Sequence, residues 1–276
     1  MFDRAVDMII KKLKKWYRKA ERYVIHLAWL LNARFGLKLS TDLTKKATII
    51  IPSYSLERMK NIEPLTRNLL KCAFVEKIIL TNNNPRVSID HYVKIEDPRV
   101  KKINQTVRHG CAYRWELTGL ENAEFLIGID DDLLLFPRQI GYLFERLVEK
   151  PEVPHGLIGT FDSNYYLNRE MEVDVIHEIY AISQTQLRRY LELYEEITTR
   201  GLASVESIEF WSDDLIISRT GTGRPNIHDA GYILRCKTAV KSGVALYQDE
   251  EFIPRRDEVR NALDTIGSSN APDNWD

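Results

Sequence analysis

Residues 125–136 read FLIGIDDDLLLF, and this stretch decides how the rest of the chain is interpreted. An apolar run of strand length leads into Asp130, Asp131 and Asp132, after which the sequence is apolar again. Three carboxylates at the end of a buried strand repel one another and lose hydration unless a positive charge lies among them. Hard oxygen ligands suit Mg²⁺ or Mn²⁺, whereas zinc prefers cysteine and histidine. The stretch therefore predicts a metal site, and the alternative is a solvated acidic turn.

Strands alternate with helices from residue 47 onward, a pattern that predicts an α/β fold with a mostly parallel sheet covered by helices. The first predicted strand ends at Pro52, and the first helix of this region, residues 56–74, is interrupted near Pro64. A later helix is predicted over residues 108–120. Polar clusters follow three predicted strands, at residues 53–54, 82–84 and 130–132. Because parallel strands end at one edge of a sheet, these clusters predict a ligand site there.

Residues 1–36 have the apolar spacing of an amphipathic helix. Its polar side carries seven basic residues between Lys11 and Arg22, against the single acidic residue Glu21. A basic amphipathic helix can lie on an anionic membrane, here through residues 9–31. The alternatives are packing on the catalytic domain or on a second subunit of a homo-oligomer. The predicted organisation is a helical segment at 1–40, a catalytic domain at 41–262 and a flexible tail at 263–276.

Composition excludes several classes of protein. Lys and Arg total 39 against 40 Asp and Glu, so no overall positive field attracts nucleic acid. The three cysteines, Cys72, Cys111 and Cys236, form no CxxC pair, which fits a reducing compartment. No apolar run approaches the length of a membrane span. We therefore predict a soluble cytoplasmic protein, with peripheral contact to the inner face of the membrane as one of the alternatives for its N-terminal helix.

The motifs together resemble those of the GT-A nucleotide-sugar glycosyltransferases. The matching pieces within residues 47–235 are IIIPSY followed by Arg58, then IILTNNN, HGCAYRWELTGL, IDDD and SDD. The chain is similar to the exostosin-like family (family 64), which has an asparagine pair and a DDD motif, and to the broad family 2. The resemblance implies a GT-A type, Rossmann-like fold. It also implies metal-dependent transfer of a hexosyl group from a UDP-sugar to a carbohydrate or lipid-linked acceptor, as in cell-surface polysaccharide synthesis.

The resemblance also implies roles for individual residues. Asp132 is the expected metal ligand, with Asp130 and the late His228 completing the set, while Asp130 and Asp131 contact the nucleotide or sugar. Asp213 or Asp214 is the base of an inverting reaction or stabilises charge on the donor in a retaining one. The residues implied in the nucleotide pocket, besides Asp130 and Asp131, are Pro52, Ser53, Tyr54, Arg58, Asn82, Asn83, Arg108 and Arg114.

Two other functions stay open on the sequence. A nucleotidyltransferase acting on a sugar phosphate also uses an acidic metal site beside an α/β sheet. The glycine-rich loop expected after its first strand is absent, because PSYSLERM occupies that place. A carbohydrate-binding protein could have kept the fold without the chemistry, although the full set of aspartates argues against this. For His228 the alternative is a solvated loop histidine.

Overall fold

A computed structural model describes residues 2–40, 43–161, 168–241 and 244–270, without the side chains of residues 2–11, 15, 18 and 268–270. The helices are α1 Phe2–Phe35, α2 Leu56–Leu69, α3 Tyr113–Gly119, α4 Pro137–Glu149, α5 Gln184–Thr199, α6 Val205–Trp211, α7 Asp213–Ile217 and α8 Phe252–Asn270. The strands are β1 Ala47–Ser53, β2 Val75–Asn82, β3 Val100–Asn104, β4 Phe125–Ile129, β5 Leu133–Leu134, β6 His155–Gly156, β7 Gly159–Thr160, β8 Met171–Glu172, β9 Val175–Ile176, β10 Ile179–Ser183, β11 Asn226–Ile227 and β12 Leu234–Arg235.

The central sheet has the strand order β3-β2-β1-β4-β10-β6-β11-β8. Its first four strands are parallel, and β10 runs antiparallel to β4. Ser53 pairs with Asn82, so the polar ends of β1 and β2 lie side by side, next to the end of β4. The predicted α/β fold with a mainly parallel sheet is confirmed.

Helices cover both faces of this sheet, because the side chains of a strand alternate between its faces. In β4, Phe125, Ile127 and Ile129 join the core beneath α1, α2 and α4, while Leu126 joins the core beneath α3, α5, α7 and α8. Gly128 lies where a Cβ atom would come within 2.9 Å of the Trp115 ring. Glycine in this strand therefore lets α3 pack directly on the sheet beside the aspartates.

Some predicted element boundaries were wrong. Strand β1 runs through Pro52 to Ser53, because its pairing with β4 ends at Ile50 and no donor is needed on that side. Helix α2 is continuous through Pro64. Helix α3 begins at Tyr113 rather than at residue 108.

The C-terminal region also differs from expectation. Helix α8 continues through residues 263–270, which we had predicted as the start of a flexible tail. Val259, Ala262, Leu263 and Ile266 are buried against the core, which explains why the helix forms. Residues 271–276 lie outside the described part of the chain.

Helix α1 joins the domain through its second half. Trp29 is fully buried and donates its Nε1 proton to the carbonyl of Leu135 at 3.0 Å, while Asn32 donates to Asn68 at 2.6 Å. The opposite side of α1 is open to solvent and apolar; its exposed residues include Leu13, Trp16, Tyr17, Tyr23, Val24, Leu27, Leu30 and Leu31. Over the described residues, none of the helices combines the length and the apolarity that crossing a membrane requires.

Candidate functional site

The aspartate triplet lies immediately after β4 and is held by residues from the end of β1 and the start of α2. Ser53 Oγ donates to Asp131 Oδ2 at 2.7 Å. Arg58 bridges two carboxylates, with Nη1 3.0 Å from Asp131 Oδ1 and Nη2 3.1 Å from Asp132 Oδ2. Burial lowers the pKa of Arg58, but Asp131 and Asp132 outweigh burial and raise it above the ordinary value. Arg58 is therefore a fixed positive charge shared by Asp131 and Asp132.

Asp132 is buried, and one of its carboxylate oxygens lacks a partner. Oδ1 is inaccessible to solvent and has no hydrogen bond to any described residue. Burial, together with Asp130, Asp131 and Glu178, raises the pKa of Asp132 to about 7 despite the opposing effect of Arg58. An orphaned carboxylate oxygen in this setting fits a divalent cation, which would supply the missing partner.

The described residues contain no preassembled group of three or more metal-ligating side chains. This is compatible with Mg²⁺ or Mn²⁺ held as at many phosphate sites, where one or two carboxylates bind the ion and substrate oxygens complete its shell. Asp132 and Asp130, whose side chain is partly exposed, are the carboxylates suited to this.

Arg114 connects the triplet to the second acidic pair. Its side chain is fully buried, with Nη1 2.8 Å from Asp130 Oδ1 and Nε 3.2 Å from Asp213 Oδ2. Trp115 donates its Nε1 proton to the same Asp213 oxygen at 3.0 Å. Burial raises the pKa of Asp213, although Arg114 opposes the shift. Residues separated by more than 80 positions in the sequence thus form one charged cluster.

Asp214 is fully engaged on the far side of this cluster. His177 Nδ1 lies 2.7 Å from its Oδ2, and Arg256 Nη1 lies 2.6 Å from its Oδ1. The backbone amide of Leu215 also donates to Oδ1, at 2.9 Å. Burial alone would raise the pKa of Asp214, but Arg256 and His177 lower it well below the ordinary value. Asp214 is a permanently ionised anchor in this arrangement.

Glu178 is a site residue that the sequence did not reveal. Its φ angle is 63°, in the left-handed region that non-glycine residues rarely adopt. Its carbonyl accepts the amide proton of Asp130 at 2.8 Å, and its carboxylate pairs with Arg235, with Oε2 2.7 Å from Nε. Backbone strain of this kind is found preferentially where a structure positions functional groups.

The predicted nucleotide pocket lies beside the triplet, on β1, β2 and the loop before α3. Arg108 is sandwiched between two rings, with its guanidinium carbon 5.0 Å from the Tyr54 centroid and 4.9 Å from the Phe210 centroid. Tyr54 and Arg108 are exposed, so they remain accessible to a planar ligand. Pro52 is buried within β1.

The asparagines of this pocket mainly fix its backbone. Asn82 donates to the Val87 carbonyl and accepts from the amide of Asn84, Asn83 donates to the Gly110 carbonyl at 2.8 Å, and Asn84 donates to the Tyr54 carbonyl. Reading the edge of a base, as the resemblance implies for Asn82 and Asn83, therefore stays a prediction.

The loop before α3 is clamped by Glu209, another residue missed from the sequence. Glu209 Oε1 accepts from the amide of Gly110 at 3.0 Å and lies 2.9 Å from His109 Nδ1. A Cβ atom at position 110 would lie 2.0 Å from the Glu209 carbonyl oxygen, so only glycine fits. This clamp explains why α3 begins at Tyr113.

His228 belongs to a different cluster. Its Nδ1 lies 2.6 Å from Glu170 Oε1 and its Nε2 lies 2.8 Å from His155 Nδ1. Both ring nitrogens are therefore engaged by residues outside the aspartate triplet. Metal binding by His228 would require it to leave these partners, and the role stays a prediction.

Comparison with known proteins supports the fold assignment. No protein-family model matches the chain, and no curated protein matches it either. Among solved structures it is similar to GalNAc-T7 with UDP, GalNAc and Mn²⁺, with 11% identity and a TM-score of 0.51. The match covers 68% of this chain and 43% of that one. A second similar structure is CMP:2-keto-3-deoxy-manno-octonic acid synthetase with CTP, at 15% identity and a TM-score of 0.39, covering 54% and 78% respectively. The first of these matches, together with the mainly parallel central sheet, shows that the chain has a GT-A-like fold.

Proposed function

We propose that this protein is a metal-dependent glycosyltransferase that moves a sugar from a nucleotide diphosphate sugar, preferentially a UDP-sugar, to a carbohydrate or lipid-linked acceptor. The observation that carries the proposal is the partnerless, buried carboxylate oxygen of Asp132 at the carboxyl end of a central strand. Supporting it are the GT-A-like fold and the ligands of the similar structure of GalNAc-T7, which contains UDP, GalNAc and Mn²⁺.

Asp132 and Asp130 would hold the divalent cation, Mn²⁺ or Mg²⁺, which supplies positive charge against the diphosphate leaving group. Arg58 and Ser53 hold the other carboxylate oxygens of the triplet in fixed positions. Tyr54 offers an exposed ring on which a base can stack. In the transfer, the bond from the anomeric carbon to the diphosphate oxygen breaks, a bond to the acceptor hydroxyl oxygen forms, and the proton of that hydroxyl passes to the departing diphosphate or to water.

For Asp213 and Asp214 we propose a positioning role. Asp214 is enclosed by Arg256 and His177, and Asp213 by Arg114 and Trp115, so each carboxylate holds its own partners in place. The buried Arg114 links Asp213 to Asp130, which lies at the metal side of the cluster.

The test is a calorimetric titration with UDP, GDP and CTP, each with and without Mn²⁺. We expect UDP to bind only with Mn²⁺, and we expect this binding to fall below detection in Asp132→Asn. Asp249→Asn, the same substitution at an exposed aspartate, should bind as the wild type does. Thermal unfolding of each variant checks that the fold is intact.

Two results would overturn the proposal. Metal-dependent UDP binding that survives in folded Asp132→Asn would remove the assigned ligand. Binding of CTP alone would favour a nucleotidyltransferase, the other enzyme class that the sequence left open.

A further inference from the structure

A cavity of about 810 Å³ lies between α1, α2 and the segment that follows β12. This volume is within the usual range for small-molecule sites. Its lining residues come from three separate parts of the chain: Lys19, Arg22, Tyr23 and His26; Glu57, Lys60 and Asn61; and Arg235, Cys236, Lys237 and Thr238.

The cavity is strongly positive although the chain as a whole is nearly neutral. Among the described residues that line it, five are lysine or arginine and Glu57 is the only acidic one. Of the five, Arg235 is paired with Glu178, which leaves four cations that line the cavity without a carboxylate partner in the described part of the chain: Lys19, Arg22, Lys60 and Lys237. Glu57 is itself paired with Lys241, which lies outside the lining. The positive charges of the cavity act on Tyr23. Its pKa is lowered by a hydrogen bond from Lys237 and by the charges of Lys237, Lys19 and Arg22. Lysine and arginine side chains from three parts of the chain surround one cavity, and such a concentration of positive charge predicts an anionic ligand.

The cavity adjoins the aspartate triplet. The amide of Cys236, a lining residue, donates to the carbonyl of Asp132 at 2.8 Å. Arg58 donates through Nη2 to the carbonyl of Thr238, another lining residue, at 3.3 Å. The segment of residues 235–238 thus lies between the cavity and the aspartate triplet and contacts both, so a molecule bound in the cavity is adjacent to the proposed donor site.

The cavity differs from the donor site in how it can hold phosphate. At the triplet an anion needs a bridging cation, because the site is rich in carboxylates. In the cavity the lysine and arginine side chains can bind phosphate oxygens directly. The two sites can therefore be distinguished experimentally by removing divalent metal.

We propose that this cavity binds the phosphate or diphosphate group of the acceptor substrate. The proposal rests on the proposed function, because it identifies the chemical class of the acceptor used at the same site. The phosphate can belong to a lipid-linked acceptor or to a soluble phosphorylated sugar, and both present the same group to the lysines. The exposed apolar side of α1, which shares Tyr23 with the cavity, favours the lipid-linked source.

The first measurement is calorimetric titration with inorganic pyrophosphate in EDTA, which disables metal-dependent binding at the triplet. We expect wild-type protein to bind, and the double variant Lys19→Gln/Lys60→Gln to bind at least about tenfold more weakly. The matched control is Lys12→Gln/Lys14→Gln, which removes two exposed lysines of α1 outside the cavity lining. It should bind within about twofold of the wild type. Equal weakening in both double variants, or an unchanged affinity in Lys19→Gln/Lys60→Gln, overturns the proposal.

The second measurement distinguishes a lipid-linked acceptor from a soluble phosphorylated one. It also tests the inference about the cavity separately from the proposed function. Tighter binding of farnesyl diphosphate than of pyrophosphate identifies a lipid-linked acceptor, whereas preference for a hexose 1-phosphate identifies a soluble one. UDP with Mn²⁺ should bind Lys19→Gln/Lys60→Gln as it binds the wild type. If the wild-type protein binds UDP but not pyrophosphate, the inference about the cavity is refuted and the proposed function stands. Wild type that binds pyrophosphate but no nucleotide refutes the proposed function, and with it the identification of the cavity ligand as an acceptor.

Discussion

Three adjacent aspartates have three different environments in this protein. Asp131 is satisfied by Ser53 and Arg58, and Asp130 is paired with Arg114, while Asp132 retains an orphaned oxygen. The difference arises because successive residues at the end of a strand face different neighbours. Three identical residues in the sequence therefore differ in their ability to bind a cation. Only their contacts in the structure identify Asp132 as the aspartate whose free oxygen can take a cation as its partner.

Asp214 offers a residue-scale test of the charged cluster. We expect Asp214→Asn to lower the free energy of unfolding at pH 7 by about 3–5 kcal/mol, because Arg256 and His177 would lose a buried anionic partner. The pKa of Asp214 is lowered in the folded protein from an ordinary value of 3.8. Its stabilising effect is therefore fully present above about pH 5 and is lost progressively as the pH falls through and below the ordinary pKa.

Urea unfolding at several pH values measures this effect. The difference between wild type and Asp214→Asn should be constant above about pH 5 and should narrow below about pH 4. Glu76→Gln, which changes an exposed carboxylate, should leave the unfolding free energy within about 0.5 kcal/mol of the wild type. A difference between wild type and Asp214→Asn that widens toward acid would show that the charge of Asp214 does not stabilise the fold.

At the scale of elements, helix α1 has two unlike sides. The inward side of its second half is anchored in the core by Trp29. The outward side carries a continuous apolar stripe flanked by lysine and arginine. A second copy of the helix would bring the basic flanks of two chains together, which costs electrostatic energy. An anionic bilayer accepts both the apolar stripe and the positive charge. Charge complementarity therefore favours lipid as the occupant of this surface.

The corresponding prediction concerns vesicle binding. The protein should sediment with vesicles containing phosphatidylglycerol, less so at high salt, and weakly with pure phosphatidylcholine. Leu13→Ser/Trp16→Ser should bind far less, since these side chains are 61% and 71% exposed on the stripe. Leu120→Ser, which changes an even more exposed leucine after α3, is the control and should bind normally. Concentration-dependent dimerisation that Leu13→Ser/Trp16→Ser abolishes, without vesicle binding, would identify a second copy as the occupant instead.

At the scale of the whole molecule, the sequence predicts what depends on local pattern. Strands β2 and β4 and helix α5 follow from apolar periodicity, and the gathering of polar strand ends follows from parallel topology. Glu178 and the Glu209 clamp could not be predicted, because a left-handed φ and a contact across nearly 100 residues leave no local signal. Helix α8 is different. Its buried positions 259, 262, 263 and 266 follow helical spacing, so the signal was present and continued past residue 263, where the tail was predicted to begin.

Helix α8 links the far end of the chain to the candidate site, and truncation tests this link. A chain ending at residue 250 loses Arg256, the partner of Asp214, together with the buried Val259, Leu263 and Ile266. Burial of three such side chains is worth about 5 kcal/mol or more, which corresponds to a fall in melting temperature of roughly 10–20 °C. A chain ending at residue 270 keeps all of these contacts and should melt like the full chain. Melting followed by circular dichroism gives both values. Equal melting temperatures for the two truncations would mean that α8 contributes nothing to the fold, and Asp214 would then need its charge balanced by His177 alone.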